Sequence, residues 1–216
     1  MKLLSFVILF SMSVFFSCAN DNAIVWNIDN LEKIGGHDIT VLGDPQVIET
    51  PAGLAVEFDG EDDAIILDMN PLAGFSKFTV EIIFRPDSGG NKEQRFFHIG
   101  EVNDDRVLIE TRLTEDNKWF FDTFIKSGES ERTLYAQDFL HPLNEWYHAA
   151  LVYDGQNMRH FVNGLKELEG TIENTPMKGG QTSLGVRLNR IYWFKGAIRK
   201  ARITPHVLSP EDFMSF

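Results

Sequence analysis

Residues Trp146 to Gly155 read WYHAALVYDG, and how this run is read decides the fold. Eight residues, apolar apart from His148, are too few for a helix and suit a strand covered on both faces. Asp154-Gly155 then supplies residues that tolerate positive φ, as a hairpin requires. Asn163-Gly164 repeats the signal, so strands over 145–153, 158–162 and 165–168 form a meander. Outward from it, short runs rich in Val, Ile, Phe, Tyr and Trp recur between Gly, Asn, Asp and Pro. Further strands are predicted over 24–27, 39–41, 46–49, 54–58, 64–67, 78–85, 95–99, 106–112, 119–126, 131–135, 182–186 and 194–204. The one good helix start is Ser209-Pro210-Glu211-Asp212, with a capping serine and proline at the first helical position. Many short strands without intervening helices predict an all-β protein of two packed antiparallel sheets, closed by a short C-terminal helical turn.

The chain begins differently. Lys2 precedes fourteen mostly apolar residues, Leu3 to Phe16, a run too short to span a bilayer and typical of an export signal. The following Ser17-Cys18 resembles the lipobox of a bacterial lipoprotein, which implies cleavage after residue 17, acylation of Cys18 and localisation in the cell envelope, at the outer membrane. An ordinary signal cut near Ala19 or Asn20 is the alternative. Residues 18–23 are small and polar, the composition of a tether, and 24–216 then make one domain. Cys18 is the sole cysteine, so the domain rests on packing, without disulfides or cysteine metal sites. Loss of Lys2 moves the formal charge from −12 to −13. So acidic a chain, without a basic run, disfavours nucleic acid, and an anionic polysaccharide would need a local basic patch.

Four motifs in order carry a family resemblance: Phe58-Asp59-Gly60 with Asp63; Phe78-Thr79-Val80-Glu81 running into Arg85-Pro86; Trp146 to Gly155 with Phe161-Val162-Asn163-Gly164; and Ser183-Leu184-Gly185 with Phe194-Lys195-Gly196-Ala197-Ile198, Ala201-Arg202-Ile203 and Leu208-Ser209-Pro210-Glu211. Over residues 24 to 213 the chain resembles the laminin G-like domains of the concanavalin A-like lectin and glucanase superfamily, in their bacterial secreted form. The resemblance implies a jelly-roll sandwich. The superfamily includes lectins, adhesion modules, glycosidases and lyases. It also makes Asp59 and Asp63, with Glu61 and Asp62 between them, candidates for a calcium loop. Many relatives carry an acidic residue after the Gly-x-Ile of the last long strand, whereas here Arg199-Lys200 follow, and a cation cannot ligate a metal.

Strand parity supplies the site candidates. FTVEIIFR places Glu81 and Arg85 on the face opposite Phe78, Val80, Ile82 and Phe84. RVLIETR pairs Glu110 with Arg112, and WFFDTFIK pairs Asp122 with Lys126. If these strands are neighbours, they pave one polar floor able to grip sugar hydroxyls through charge-assisted hydrogen bonds. Arg95 and His98 are rim candidates that an odd spacing sets on opposite faces, and Trp193 is a stacking candidate. Trp26, Trp119 and Trp146 are expected in the core. His148 shares a face with Trp146, Ala150 and Val152 and reads as structural, with His160 across from that region. Cations beside Glu81, Glu110 and Asp122 are expected to lower their pKa values and disfavour a general acid. The E-x-D-x-E match at Glu57-Phe58-Asp59-Gly60-Glu61 falls on a strand end, and no H-E-x-x-H, G-x-S-x-G or phosphate loop is present. The expectation is a surface-attached, lectin-like module binding a polysaccharide or glycoprotein, with no cofactor required and calcium as the candidate ion. A carbohydrate-active enzyme and a protein-interaction subunit are the alternatives.

Overall fold

A computed structural model describes residues 22–216. The leader, Cys18 and the tether up to residue 21 lie outside the described residues. Two antiparallel sheets face each other, their strands numbered in chain order. The eight-stranded sheet runs β15 (Leu165–Thr171), β14 (Asn157–Val162), β13 (Tyr147–Tyr153), β7 (Phe78–Pro86), β17 (Lys195–Thr204), β5 (Gly53–Asp59) and β4 (Gln46–Thr50), with β1 (Ile24–Asn27) also on β17. The nine-stranded sheet runs β11 (Ser130–Tyr135), β10 (Lys118–Ser127), β9 (Arg106–Leu113), β8 (Glu93–Gly100), β16 (Gln181–Leu184), β6 (Ala64–Leu67), β3 (His37–Leu42) and β2 (Lys33–Ile34), with β12 (His141–Pro142) on β10. The predicted strands are all present within a few residues. Only the two-residue β2 and β12 escape sequence reading, being too short to show a period.

The meander forms as its turns require. Asn163 and Gly164 take φ of 50° and 78°, the left-handed pair of a two-residue hairpin. Asp154 holds the other turn by accepting from the amides of Gln156 and Asn157. At the C-terminus a single 3-10 turn spans Pro210–Asp212, and Ser209 does not cap a backbone amide there. Its hydroxyl donates to Asp212 instead.

Alternation along the strands sends Phe78, Val80, Ile82 and Phe84 of β7 into the space between the sheets, where they meet Phe121, Ile125 and Trp119 of β10. Burying one such side chain contributes roughly 1.5–3 kcal/mol. Trp26 and Trp119 are fully buried. Trp146 is not in the core: it lies half-buried, with the Arg85 guanidinium 5.6 Å from its ring centroid. It belongs to the outward parity of β13, together with His148.

Candidate functional site

The strands β8, β9 and β10 are neighbours, and their outward faces carry the charged floor. Asp122 stands opposite Glu110, and Glu110 opposite Arg95. Arg112 bonds both carboxylates, with Nη2 at 3.0 Å from Glu110 Oε2 and 2.7 Å from Asp122 Oδ2, and also reaches Glu93. Arg95 Nη2 lies 2.6 Å from the other Glu93 oxygen, and its Nε lies 3.0 Å from Glu110 Oε1. Two arginines and three carboxylates therefore form one closed lattice. The Arg112 contacts to Glu110 and Asp122 are charge-assisted hydrogen bonds, directional and about twice as strong as neutral ones, and the remaining contacts are ion pairs.

A β-bulge between Arg95 and Phe97 corrects the expectation that Arg95 and His98 face opposite ways. Phe96 and Phe97 are both buried, and the extra residue shifts the parity so that Arg95 and His98 share the outward face. His98 still cannot meet a ligand. It is fully buried, with Nε2 at 3.0 Å from the Glu101 carbonyl and Nδ1 accepting from the Leu188 amide. Burial, followed by the nearby arginine charges, pushes it down to about 3.

The loop after β16 closes one rim. Backbone bonds from Gly185 to Phe96, from Arg95 to Tyr192 and from Phe194 to Gly185 tie it down. Tyr192 takes φ of 65°, an unusual conformation for a bulky residue. That turn sets its ring 4.2 Å from the Arg95 guanidinium. Tyr192 thus stacks on a member of the lattice, while the aromatic that lines the depression is Phe124, and Trp193 is half-buried. The open depression is about 250 Å3, lined by Arg95, Arg106, Glu110, Arg112, Asp122 and Arg187 among others. Lys126 is not among its lining residues, although it stands between Arg106 and Glu131, which are.

Glu110 and Asp122 are 2% and 1% exposed. Burial raises both pKa values, and the Asp122 charge adds to the rise at Glu110, which is pushed up to about 7. Desolvation here exceeds the lowering by arginines that the sequence led us to expect. Glu93, Arg106, Arg187 and Tyr192 were not among the candidates. Arg106 stands at even spacing from Glu110, and Glu93 at even spacing from Arg95, which was the available signal. Arg187 lies in a loop and carried none.

Glu81 and Arg85 do not belong to this floor, because β7 lies in the other sheet. Glu81 is fully buried beneath the C-terminal tail, accepting from His148, Arg202 and the Met214 amide. Burial opposes its ionisation, but those bonds outweigh it and hold the carboxyl below its usual range. Arg85 pairs with Glu57 and Asp87. His148 is buried, its Nε2 3.0 Å from Glu81 Oε1. His160 turns to the opposite, core face, bonded through Nδ1 to the Thr123 hydroxyl at 3.0 Å.

Asp59, Asp62 and Asp63 converge on a turn that can hold a metal ion. Their oxygens already serve the chain. Asp63 accepts from the amides of Asp44 and Asp59, and Asp59 from Glu61 and Asp62. The cation facing this turn is Lys195, opposite Asp59. Arg199 is elsewhere, donating to the Ala52 carbonyl at the far end of β5.

The family model Laminin_G_3, described as concanavalin A-like lectin/glucanases superfamily, matches residues 59–213. No curated protein matches the chain in sequence. Among solved structures, domain 4 of AbnA, a GH43 extracellular arabinanase from Geobacillus stearothermophilus in complex with arabinotriose, superposes at 19% identity and TM-score 0.66, covering 87% of this chain and 94% of that one. The binding domain of Paraclostridial Mosquitocidal Protein 1 aligns at 16% identity and TM-score 0.66, over 88% of this chain and 50% of that one. A botulinum neurotoxin type C structure, whose cell entry depends on two ganglioside molecules, gives 16% and 0.66, over 91% and 51%. The chain thus spans about half of the two toxin chains. At these identities the likeness is one of fold.

Proposed function

Since the chain belongs to the laminin G-like family of the concanavalin A-like lectin/glucanases superfamily, we propose that it is an exported, lipid-anchored glycan-binding protein. The observation that carries this reading is the arginine–carboxylate lattice of Glu93, Arg95, Glu110, Arg112 and Asp122, of which the last four line a depression with Phe124 while Tyr192 stacks on Arg95. A sugar presents hydroxyls that both donate and accept, so it binds best to fixed donors and acceptors around an aromatic edge. Locking the charged groups to one another beforehand reduces the ordering cost on binding. The AbnA domain, in complex with arabinotriose, supports the reading by placing a sugar ligand on the same fold.

Affinity electrophoresis through a panel of neutral and acidic polysaccharides tests it. Selective retardation that Tyr192→Ala weakens at least tenfold, with the variant still folded, is expected. Free migration through every gel would overturn the reading. Export and anchoring are tested by palmitate labelling, which Cys18→Ala should abolish.

The Glu110 carboxyl, pushed up to about 7, favours a second reading as a hydrolase or lyase with Glu110 as proton donor. Binding is preferred because Glu110 is 2% exposed and both its oxygens are held by guanidiniums. Release of new reducing ends, lost in Glu110→Gln, would reverse that preference.

A further inference from the structure

Two arginines at the edge of the depression stand outside the lattice. Arg106 comes from β9 and Arg187 from the loop after β16, and both line the cavity. Each spends one terminal nitrogen on a backbone carbonyl: Arg106 Nη1 on Asp104 at 2.8 Å, and Arg187 Nη2 on Val102 at 3.0 Å. The Nε of each is buried without a hydrogen-bond partner among the described residues. Neither has a carboxylate within 4.0 Å among the described residues, a trait shared with Arg132, Arg190 and Arg199, but Arg106 and Arg187 alone of these line the depression, beside the paired Arg95 and Arg112. In a chain with 32 acidic and 20 basic residues, carboxylates are plentiful.

Leaving two half-buried guanidiniums together is unfavourable. Burial lowers the pKa of both, and further lowering comes from Arg187 at Arg106 and from Arg95 at Arg187. A buried donor without an acceptor adds a further desolvation cost. One anion bound between the two guanidiniums would relieve the repulsion.

We infer that Arg106 and Arg187 form an anion subsite that selects a glycan bearing a carboxylate, a uronate-containing chain. The inference rests on the glycan-binding reading and narrows its ligand class. The charge balance favours a monoanion. Arg95, Arg106, Arg112 and Arg187 face Glu93, Asp122, the exposed Glu131 and a Glu110 that is partly protonated near neutral pH. Lys126, the cross-strand neighbour of Arg106 and Glu131, adds a fifth cation, so the surplus is one positive charge with Glu110 ionised, which a carboxylate balances. A planar carboxylate also matches the two-pronged edge of a guanidinium. The depression, at about 250 Å3, falls below the roughly 300–1,000 Å3 of drug-sized pockets and suits a single sugar unit of a chain.

Nitrogen-15 NMR of the arginine Nε–H groups in the mature protein tests the subsite directly, by titration with glucuronate, its methyl ester, glucose and acetate. The expected result is a saturable shift of the Arg106 and Arg187 signals with glucuronate, at least tenfold weaker with the ester and with acetate. Equal response to glucuronate and its ester would overturn the subsite while leaving a neutral-sugar site standing. Equal response to acetate and glucuronate would overturn the uronate assignment in favour of a bare anion hole. No shift with any of the four would overturn the subsite outright. Arg187→Gln should reduce retardation by polygalacturonate at least tenfold, and an undiminished retardation would overturn the subsite. Retardation by neutral polymers tests the glycan reading separately.

Discussion

At the residue scale, Arg112 is the centre of the floor. It is the shared partner of Glu93, Glu110 and Asp122, and its removal would strand buried Asp122 and leave Glu110 with Arg95 alone. Arg112→Ala is expected to cost about 3 kcal/mol in urea denaturation. The buried histidines and Glu110 set opposite pH slopes. His98 and His160 are both held at about 3 in the fold by burial, against about 6.5 in an unfolded chain. Between pH 6.5 and 3 the unfolded chain binds protons that the native state refuses. Stability therefore falls with falling pH in that window, by up to about 1.4 kcal/mol per pH unit for each histidine. Glu110 acts with the other sign: its folded value, raised to about 7, means stability present below pH 4.5 that is lost as pH rises to 7. Denaturation of Glu110→Gln across pH 4.5 to 7 should therefore show a steeper rise with pH than the parent protein. Parity along β9 and β10 made Glu110, Arg112 and Asp122 legible from sequence. Their protonation was not, because it depends on desolvation by loops remote in the chain.

At the scale of elements, the bulge in β8 and the C-terminal tail decide which candidates meet a ligand. The bulge is set by two adjacent phenylalanines that both enter the core, Phe96 stacking on Phe84 at 4.5 Å and Phe97 meeting Trp26 at 6.4 Å. Simple alternation cannot anticipate it, so Arg95 was assigned to the wrong face relative to His98. The tail covers Glu81: Phe213 lies 5.3 Å from the His148 ring and 5.2 Å from that of Phe161, and the Met214 amide donates to the carboxylate. Deleting residues 213–216 should lower stability by about 2 kcal/mol. Glycan retardation should stay unchanged, since the floor belongs to the other sheet. Lost binding in that truncation would place the site on the Glu81 face.

For the whole molecule, β17 is the strand on which the eight-stranded sheet depends. It pairs with β7 along its length and with both β5 and β1 on its other edge. Its residues are almost the last of the chain, so the sheet cannot close until they arrive. A chain ending at residue 190 is expected to lack dispersed amide signals and to be cut rapidly by protease. With so many non-local pairings, refolding of the intact domain should fall in the millisecond-to-second range typical of all-β sandwiches. The sequence by itself determined the strands, their turns, the two-layer architecture and the family. Those follow from local periodicity and from turn residues whose allowed φ is a property of one or two positions. Only the tertiary structure decided that β7 lies across the sandwich from β9 and β10, that a bulge turns Arg95 to the floor, and that Arg187 arrives beside Arg106. Period two records the face of a strand, while sheet membership and loop approach arise from contacts between segments far apart in the chain.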